Sequence, residues 1–344
     1  MHSTFVPSAV LSRLATLLFI VIALTPLVTS SVQAETIRFA PLPLENRETV
    51  VKQYRPMVLY LEKKLNVTIE FVFSDNYADI INNFTKGQID LAYLGPLPYV
   101  ELRAKDSKAE PLVHFNEASG KPMYTCAIAT LADSPLQLQG LKKKAIALTQ
   151  PLSTCGYLSV NGLLQEQGSS LEDNRYTYLD KHDAVALAVV RGEYDAGGLK
   201  TAIGKKYAHM GLKIVAETAA MPSFGLVANR ATMSASTMQA LREALIALDP
   251  VAADKEMLAT WGDNIRFGAV AASDKDYDVV RKFKGNSVIP PPIKSDEPPA
   301  LETYRRAGRV SGPGALLHPQ HCPPPVFQLA QQGKEPLFRT SGDS

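Results

Sequence analysis

The pattern of apolar and polar positions along the chain predicts two successive α/β regions. Residues 36–40 alternate like a strand, residues 54–65 carry apolar side chains at helical spacing, and residues 67–73 are rich in β-branched and aromatic side chains. A helix over residues 77–85 and a strand over residues 89–94 continue the order. Strands and helices that alternate in this way favour a parallel sheet with right-handed crossovers.

A second region repeats this pattern after residue 123. Strands are predicted over residues 124–130, 145–148, 176–179 and 194–197, and helices over residues 157–167, 183–191 and 236–248. The pattern Gly-x-x-Asp starts at both Gly87 and Gly192, each time between a predicted helix and a predicted strand. Two lobes built alike would produce this echo, although so short a pattern is weak evidence by itself.

Residues 1–34 have the features of a secretory signal. Arg13 precedes an apolar run over residues 14–24, and Val32 and Ala34 occupy the −3 and −1 positions of a cleavage site. The alternative is an uncleaved membrane anchor, but the run is shorter than the roughly 20 residues that a spanning helix needs. We therefore expect cleavage after Ala34 and a periplasmic location.

Composition narrows the class of protein. A chain of 344 residues suits two domains, and its formal net charge of +2 is not that of a nucleic-acid binder. Of the three cysteines, Cys126 and Cys155 are candidates for a disulfide, but the sequence does not give the distance between them. Cys and His residues lack metal-ligand spacing, so we expect neither a metal nor a cofactor.

Residues 153–156, Ser-Thr-Cys-Gly, form the most informative stretch, which we call the 153–156 turn. It lies between a predicted strand and a predicted helix. The first N–H groups of a helix lack partners and its dipole is positive there, so an anion binds without help from Lys or Arg. Ser153 and Thr154 add hydroxyl donors, and Gly156 allows close approach. Plain helix capping by Ser or Thr is an equally good interpretation.

A second candidate region is the segment at residues 90–99, where a buried strand runs into a Gly-Pro turn. In open α/β sheets, ligands bind beyond the carboxyl ends of strands. Tyr93, Gly95 and Tyr99 are therefore candidate contacts, with core packing as the alternative for Tyr93. Arg47, in the loop after the first strand, could reach the cleft, but a solvated loop charge is the favoured interpretation.

Four segments resemble, in order, those of the periplasmic binding proteins of phosphonate, phosphite and phosphate ABC transporters, the PhnD-like family. They are IRFAPLP, YADIINNFTKGQIDLAYLGPLPYVEL, PLSTCGYLSVNGLL and HDAVALAVVRGEYDAG. The resemblance covers about residues 36–285. It implies a type II periplasmic-binding-protein fold, in which two α/β lobes with two crossovers enclose a ligand.

The resemblance also implies a site and domain boundaries. We expect a first lobe over residues 35–121 and 223–285, a second lobe over residues 122–222, and a proline-rich disordered tail over residues 286–344. The ligand-binding residues carried over, or placed beside those segments, are Tyr93, Gly95, Tyr99, Tyr124, Ser153, Thr154, Cys155, Gly156, Tyr157, His182 and Asp195. Where the family usually has serine, this chain has Cys155, whose thiol donates more weakly. Because of this difference the exact identity of the ligand stays open, and a sulfur oxyanion is one possibility.

The expected function is capture of a small phosphonate-, phosphite- or phosphate-like oxyanion by lobe closure, followed by delivery to an ABC importer. The alternative is a sensor that presents an oxyanion to a membrane receptor. We also expect a monomer that does not bind nucleic acid. An enzyme with Cys155 as nucleophile and His182 as base is a third hypothesis, but the resemblance implies a protein without catalytic activity.

Overall fold

The architecture comes from a computed structural model that describes residues 35–44 and 46–291. The predicted signal, Cys322 and the predicted tail beyond residue 291 lie outside these residues. A six-stranded and a five-stranded sheet form the centres of two lobes, joined through a two-stranded ribbon. The predicted α/β class is confirmed. None of the helices in the described ranges is long and apolar enough to cross a bilayer.

The elements of the described ranges alternate through most of the chain. The strands are β1 (Thr36–Ala40), β2 (Thr68–Phe71), β3 (Leu91–Leu94), β4 (Ala109–Phe115), β5 (Met123–Tyr124), β6 (Cys126–Leu131), β7 (Ala145–Leu148), β8 (Arg175–Tyr178), β9 (Ala196–Lys200), β10 (Leu212–Glu217), β11 (Met221–Pro222), β12 (Gly225–Asn229) and β13 (Ala269–Ala271). The α-helices are α1 (Arg47–Leu65), α2 (Tyr77–Thr85), α3 (Pro96–Lys105), α4 (Tyr157–Glu166), α5 (His182–Val190), α6 (Thr201–Lys206), α7 (Ala235–Ile246), α8 (Lys255–Leu258) and α9 (Asp278–Lys284).

The two large sheets share one arrangement. The first lobe has the order β13-β4-β12-β3-β1-β2, and the second lobe has the order β10-β6-β9-β7-β8. In the first lobe β1 is parallel to β2 and β3, while β12 is antiparallel to β3 and β4. In the second lobe β7 is parallel to β8 and β9, while β6 is antiparallel to β9 and β10. Apart from β13, the strands therefore correspond one to one.

The Gly-x-x-Asp echo has a structural basis in these matched sheets. Asp90 precedes β3, and its Oδ2 accepts the backbone N–H of Arg38 on β1 at 2.8 Å. Asp195 precedes β9, and its Oδ2 accepts the backbone N–H of Ala145 on β7 at 2.8 Å. In both lobes the aspartate therefore joins two parallel strands near their amino ends.

Two crossings between the lobes run side by side. Strands β5 and β11, which we call the crossing ribbon, pair antiparallel, with Met221 opposite Tyr124 and Pro222 opposite Met123. The ribbon connects the end of the first lobe's β4 to the second lobe's β6, and the second lobe's β10 back to β12. Both of these connections between the lobes therefore run through this ribbon.

A third passage follows α9. The ring of Phe283 covers Gly162 of α4, where an added Cβ would meet the ring at 2.5 Å. Beyond it, Ile289 packs against the core of the second lobe, and the Tyr178 hydroxyl donates to the Pro290 carbonyl oxygen at 3.1 Å. Residues 286–291, which the sequence assigns to the tail, thus lie on the second lobe.

Candidate functional site

Three helices begin close to strand ends, and their first turns meet between the lobes. Helix α2 follows β2 and α3 follows β3 in the first lobe, while α4 follows β7 in the second. The N–H of Leu97 in α3 donates to Thr154 Oγ1 at 3.1 Å. The N–H of Tyr77 in α2 donates to Gln150 Oε1 at 3.1 Å. Each bond joins a first-lobe helix start to a second-lobe side chain, so the carboxyl edges of the two sheets lie against each other.

Helix α3 begins where the sequence predicts only a turn. Gly95 is its N-cap and Pro96 holds the first position, where a missing N–H is no loss to the helix. Since Pro98 also lacks an N–H, Leu97 carries the single N–H of the first three residues. That group is bound to Thr154, and the positive end of the α3 dipole is therefore directed at the 153–156 turn.

The 153–156 turn lies between β7 and α4, as predicted, and is buried where the lobes meet. Ser153 and Thr154 are each only 4 % exposed. Because Thr154 Oγ1 accepts from Leu97, the Thr154 hydroxyl keeps its own proton for donation. The turn is thus enclosed between the lobes, in contact with the start of α3.

Gly156 is the N-cap of α4, and glycine is expected here so that a ligand can approach the backbone. The structure gives a second reason, which is the closeness of other protein atoms. A Cβ at this position would lie 2.9 Å from the Gln150 carbonyl oxygen and 2.9 Å from Thr149 Oγ1. Glycine is therefore needed to accommodate the neighbouring protein atoms, in addition to any ligand. The N-cap makes no side-chain hydrogen bond, so α4 begins without a Ser or Thr cap of the usual kind.

Cys155 forms a disulfide with Cys126, with their Cα atoms 5.0 Å apart. The sequence left this pairing open. Without a thiol, Cys155 is neither a nucleophile nor a side-chain donor, so the enzymatic hypothesis based on its thiol is wrong for the disulfide form. As a ligand contact, Cys155 retains only its backbone N–H.

Three hydroxyl groups around this junction are buried without a hydrogen-bond partner among the described residues: Ser74 Oγ, Tyr124 OH and Thr149 Oγ1. Burial raises the pKa of Tyr124, and a contact with Thr154 opposes that rise. This contact falls short of hydrogen-bond geometry. Unpartnered buried hydroxyls are unfavourable, so an acceptor placed among them would be stabilised.

A cavity of about 200 Å³ lies between the lobes, and of these three residues Ser74 alone is part of its lining. The Arg47 guanidinium forms part of its wall, 4.6 Å from the centre of the Phe73 ring. Arg47 is nevertheless exposed to solvent, and it is the first residue of α1 instead of part of a loop. The lining consists of Pro41, Pro43, Arg47, Val50, Phe73, Ser74 and Asp75 from the first lobe and Gln150, Asp180 and Lys181 from the second. A larger cavity of about 380 Å³ is lined by Glu110 and Arg242 among others, and none of the eleven predicted contact residues lines either cavity.

His182 is the first residue of α5, and its Nδ1 accepts the backbone N–H of Lys200 at 3.0 Å. Burial, with a smaller effect of the Lys200 charge, lowers the pKa of His182 to about 4. The imidazole is therefore neutral at neutral pH and carries its proton on Nε2. A neutral imidazole with its proton on Nε2 can donate to a ligand oxygen. That His182 makes such a bond stays a prediction.

Lys200 ends β9 at the carboxyl edge of the second sheet. Its Nζ pairs with Glu117 at 2.7 Å, with side chains only 11 % and 22 % exposed. The same Nζ lies 5.3 Å from the centre of the Tyr124 ring and 5.6 Å from that of Phe224. Glu117 also accepts the Ser223 hydroxyl at 3.3 Å. A mostly buried ion pair therefore connects the second lobe to both crossings.

Two of the predicted ligand contacts lie elsewhere. The Tyr99 hydroxyl donates to Asp274 Oδ1 at 2.6 Å, and its ring packs on Tyr277, inside the first lobe. Asp195 lies at the amino ends of β7 and β9, the edge opposite the 153–156 turn. Tyr99 therefore serves the first-lobe core and Asp195 joins two strands, and we withdraw both as ligand contacts.

Tyr93 and Tyr157 lie near the site with their hydroxyls turned to other partners. Tyr93 is fully buried, its ring stacks on Phe224, and its hydroxyl contacts the Asn264 carbonyl oxygen at 3.4 Å. The Tyr157 hydroxyl donates to Glu172 Oε1 at 3.0 Å, and burial together with Glu172 raises the pKa of Tyr157 to about 12. Tyr157 therefore keeps only its backbone N–H, in the first turn of α4, as a candidate donor.

Sequence reasoning missed four polar residues of this junction: Ser74, Thr149, Gln150 and Lys200. Thr149 and Gln150 directly follow β7, Ser74 comes shortly after β2, and Lys200 is the last residue of β9. Polar residues at the carboxyl ends of parallel strands are the signal that would have found them. The signal for the start of α3 was proline at the first helical position.

Residues 39–277 match the family model described as "ABC transporter, phosphonate, periplasmic substrate-binding protein". That range is well over half of the chain. The protein belongs to this family. Its members are substrate-binding proteins of ABC transporters, which agrees with the prediction that the chain is not an enzyme, and the family implies a location outside the cytoplasm.

Individual relatives support this assignment. The phosphate-import protein PhnD of Mycolicibacterium smegmatis is 29 % identical over 272 residues, which cover 72 % of this chain and 84 % of that protein. The phosphonates-binding periplasmic protein of Escherichia coli is 28 % identical over 170 residues, 47 % of this chain and 50 % of that protein.

A solved structure also shares the fold. PhnD1 from Prochlorococcus marinus in complex with methylphosphonate has a TM-score of 0.63 and 18 % identity, covering 73 % of this chain and 97 % of that chain. At this level of identity the likeness shows the fold, and it confirms the predicted type II periplasmic-binding-protein architecture.

Proposed function

We propose that this protein captures a small oxyanion of the phosphonate and phosphate class between its lobes and delivers it to an ABC importer in the membrane. The observation that carries the proposal is the meeting of the α3 and α4 starts beside three buried hydroxyls without partners. The relatives named above import phosphate or bind phosphonates, which supports the same ligand class.

The chemistry of the junction favours an anion that accepts several hydrogen bonds. The first turn of α4 supplies backbone N–H groups and the positive end of a dipole. Thr154 retains a proton, and Ser74, Tyr124 and Thr149 have hydroxyls without partners. A tetrahedral oxyanion presents acceptors in several directions and would satisfy donors from both lobes at once.

Closure is the proposed mechanism. The bonds from Leu97 to Thr154 and from Tyr77 to Gln150 require the lobes to be in contact. A ligand that also contacts both lobes shifts the population towards this closed form. In this proposal the first lobe comprises residues 35–121 and 223–285, the second comprises residues 122–222, and the crossing ribbon acts as the hinge.

Thermal-shift measurements with phosphate, phosphite, methylphosphonate, sulfate and thiosulfate test the proposal, followed by calorimetry for each ligand that shifts the midpoint. A ligand at 100 times its Kd stabilises the folded protein by about 2.7 kcal/mol, which is an easily measured shift. We expect a shift with at least one phosphorus oxyanion. Shifts with sulfur oxyanions alone would favour the alternative ligand class, and no shift with any of the five would overturn the proposal.

A further inference from the structure

The Cys126–Cys155 disulfide connects the proposed anion site to the hinge. Cys155 directly follows Thr154, whose hydroxyl contacts the first lobe through Leu97. Cys126 is the first residue of β6, two positions after Tyr124 of the crossing ribbon. The covalent link therefore runs from the 153–156 turn to the place where the chain enters the second lobe.

Cys126 is also fixed to the second crossing. Its N–H donates to Thr218 Oγ1 at 3.1 Å, and its carbonyl oxygen accepts the N–H of Thr218 at 2.8 Å. Thr218 lies between β10 and β11, where the chain leaves the second lobe. One end of the disulfide is thus anchored to both crossings.

The hydrogen bonds of the 153–156 turn within the second lobe are local. The Ser153 N–H donates to the Gln150 carbonyl oxygen at 2.9 Å, and the Ser159 hydroxyl donates to the Thr154 carbonyl oxygen at 2.5 Å. The N-cap Gly156 offers no side-chain bond to the start of α4. The disulfide therefore adds a covalent long-range constraint to a turn whose hydrogen bonds are local.

Both half-cystines are covered where the lobes meet. Cys126 is fully buried and Cys155 is 2 % exposed, and both pack within the core cluster of the first lobe together with Tyr124 and Met221. In the proposed closure, separation of the lobes would remove part of this cover, and the bond would belong to the surface that forms when they close.

We propose that the Cys126–Cys155 disulfide positions the 153–156 turn against the hinge, so that affinity for the oxyanion depends on this bond being intact. The inference rests on the proposed function, since it concerns the same site. It also makes ligand binding sensitive to reducing conditions. Reduction by dithiothreitol transfers two electrons and two protons to the two sulfurs, while dithiothreitol becomes its cyclic disulfide.

The first test compares the wild type with the Cys126→Ser/Cys155→Ser double variant, using methylphosphonate and inorganic phosphate in calorimetry. Cys322→Ser, which leaves the bond intact, is the matched control. We expect the double variant to bind at least about tenfold more weakly, at a temperature at which all three proteins are folded by circular dichroism, and the control to bind like the wild type. Affinity in the double variant within twofold of the wild type would overturn the inference.

A second readout does not depend on a ligand. Amide hydrogen exchange of residues 157–160, in the first turn of α4, should be faster in the double variant than in the wild type, with the sheet amides of the first lobe unchanged. Unchanged exchange of residues 157–160 would overturn the positioning role. Failure of every phosphorus oxyanion to bind the wild type would count against the proposed function alone, because this exchange measurement still decides the positioning role.

Ligand protection provides a third readout. Because closure covers the bond, saturating phosphate or methylphosphonate, whichever binds the wild type, should slow the rate at which dithiothreitol releases two thiols. Equal rates of thiol release with and without the bound ligand would contradict a bond that is covered on closure.

Discussion

The backbone N–H of Leu97 and the hydroxyl oxygen of Thr154 belong to different lobes and form a hydrogen bond of 3.1 Å. Leu97 lies between Pro96 and Pro98, which have no N–H, so α3 has no other donor in its first three residues. The bond occupies an acceptor position of Thr154 and leaves its proton free. In the proposed site, the Thr154 hydroxyl therefore both joins the lobes and orients a donor towards the ligand.

Removal of this hydroxyl should weaken ligand binding. Thr154→Val keeps the volume of the side chain but loses both the acceptor for Leu97 and the donor for the ligand. A hydrogen bond to a charged group contributes about 1.5–3 kcal/mol, so calorimetry should show affinity lower by about 10- to 100-fold. Thr154→Ser, which keeps the hydroxyl, should bind nearly as well as the wild type. Equal affinity in Thr154→Val would exclude this residue from the site.

Substitution of Thr149 should have opposite effects on stability and on binding. Its hydroxyl is fully buried and has no hydrogen-bond partner among the described residues. Thr149→Val removes an unsatisfied group, so without ligand the free energy of unfolding in urea should rise by about 1 kcal/mol. Ligand affinity should fall, because a donor is lost. A variant that loses stability and keeps its affinity would contradict the assignment of Thr149 to the site.

His182 should make the protein less stable in mild acid. Its pKa is lowered from 6.5 to about 4, first by burial and then by Lys200, so the unfolded chain binds a proton at higher pH than the folded chain does. The contribution to stability is therefore complete above about pH 6.5 and is lost as the pH falls towards about pH 4, amounting to about 3 kcal/mol. Urea unfolding at about pH 7 and about pH 5 should show a smaller pH effect in His182→Gln. The same pH effect in both proteins would contradict the lowered pKa.

The Lys200–Glu117 pair should behave as a coupled unit. Glu117→Gln leaves a mostly buried ammonium group without its carboxylate, which should lower the free energy of unfolding by about 3 kcal/mol. Lys200→Met combined with Glu117→Gln removes both charges and should restore most of that loss. Additive effects of the two substitutions in urea unfolding would show that the pair is not coupled.

The third passage between the lobes should contribute to stability. A chain that ends at residue 285 lacks Ile289 and Pro290, which contact the second lobe, whereas a chain that ends at residue 291 keeps them. We expect the shorter protein to unfold at a temperature several degrees lower than the longer one, since it exposes part of the second-lobe core. Identical midpoints in differential scanning calorimetry would show that residues 286–291 contribute little.

The periodic parts of the chain were predictable and the proline-containing ones were not. The pattern predicted β1, β7 and α2 with their observed bounds, because apolar periodicity and flanking polar residues agreed there. Helix α1 begins at Arg47 instead of residue 54, since Asn46 caps it by accepting the Thr49 N–H at 2.9 Å. Helix α3 was missed because proline was interpreted as a turn signal instead of a helix start.

For the site, the sequence located the 153–156 turn but not the side chains that meet it. Thr154 was found as a candidate because it lies between a predicted strand and a predicted helix, which is a local feature of the sequence. The positions of Gln150 and Lys200 at strand ends mark them as candidates, but their partners in the first lobe and the crossings depend on how the two lobes meet, which no local pattern contains. Asp195 was carried over from the resemblance as a ligand contact, although it stands at the start of its strand, where its Oδ2 accepts the Ala145 N–H.

The described part of the chain starts on one lobe and finishes on the other. Thr36 is in the parallel sheet of the first lobe, and Pro290 accepts a hydrogen bond from Tyr178 of the second. In the proposed closure, two fluorophores attached near these points would change their separation when the ligand binds. The protein would then serve as a single-chain optical reporter for its own ligand, with no need to insert a dye or a fluorescent domain into either sheet.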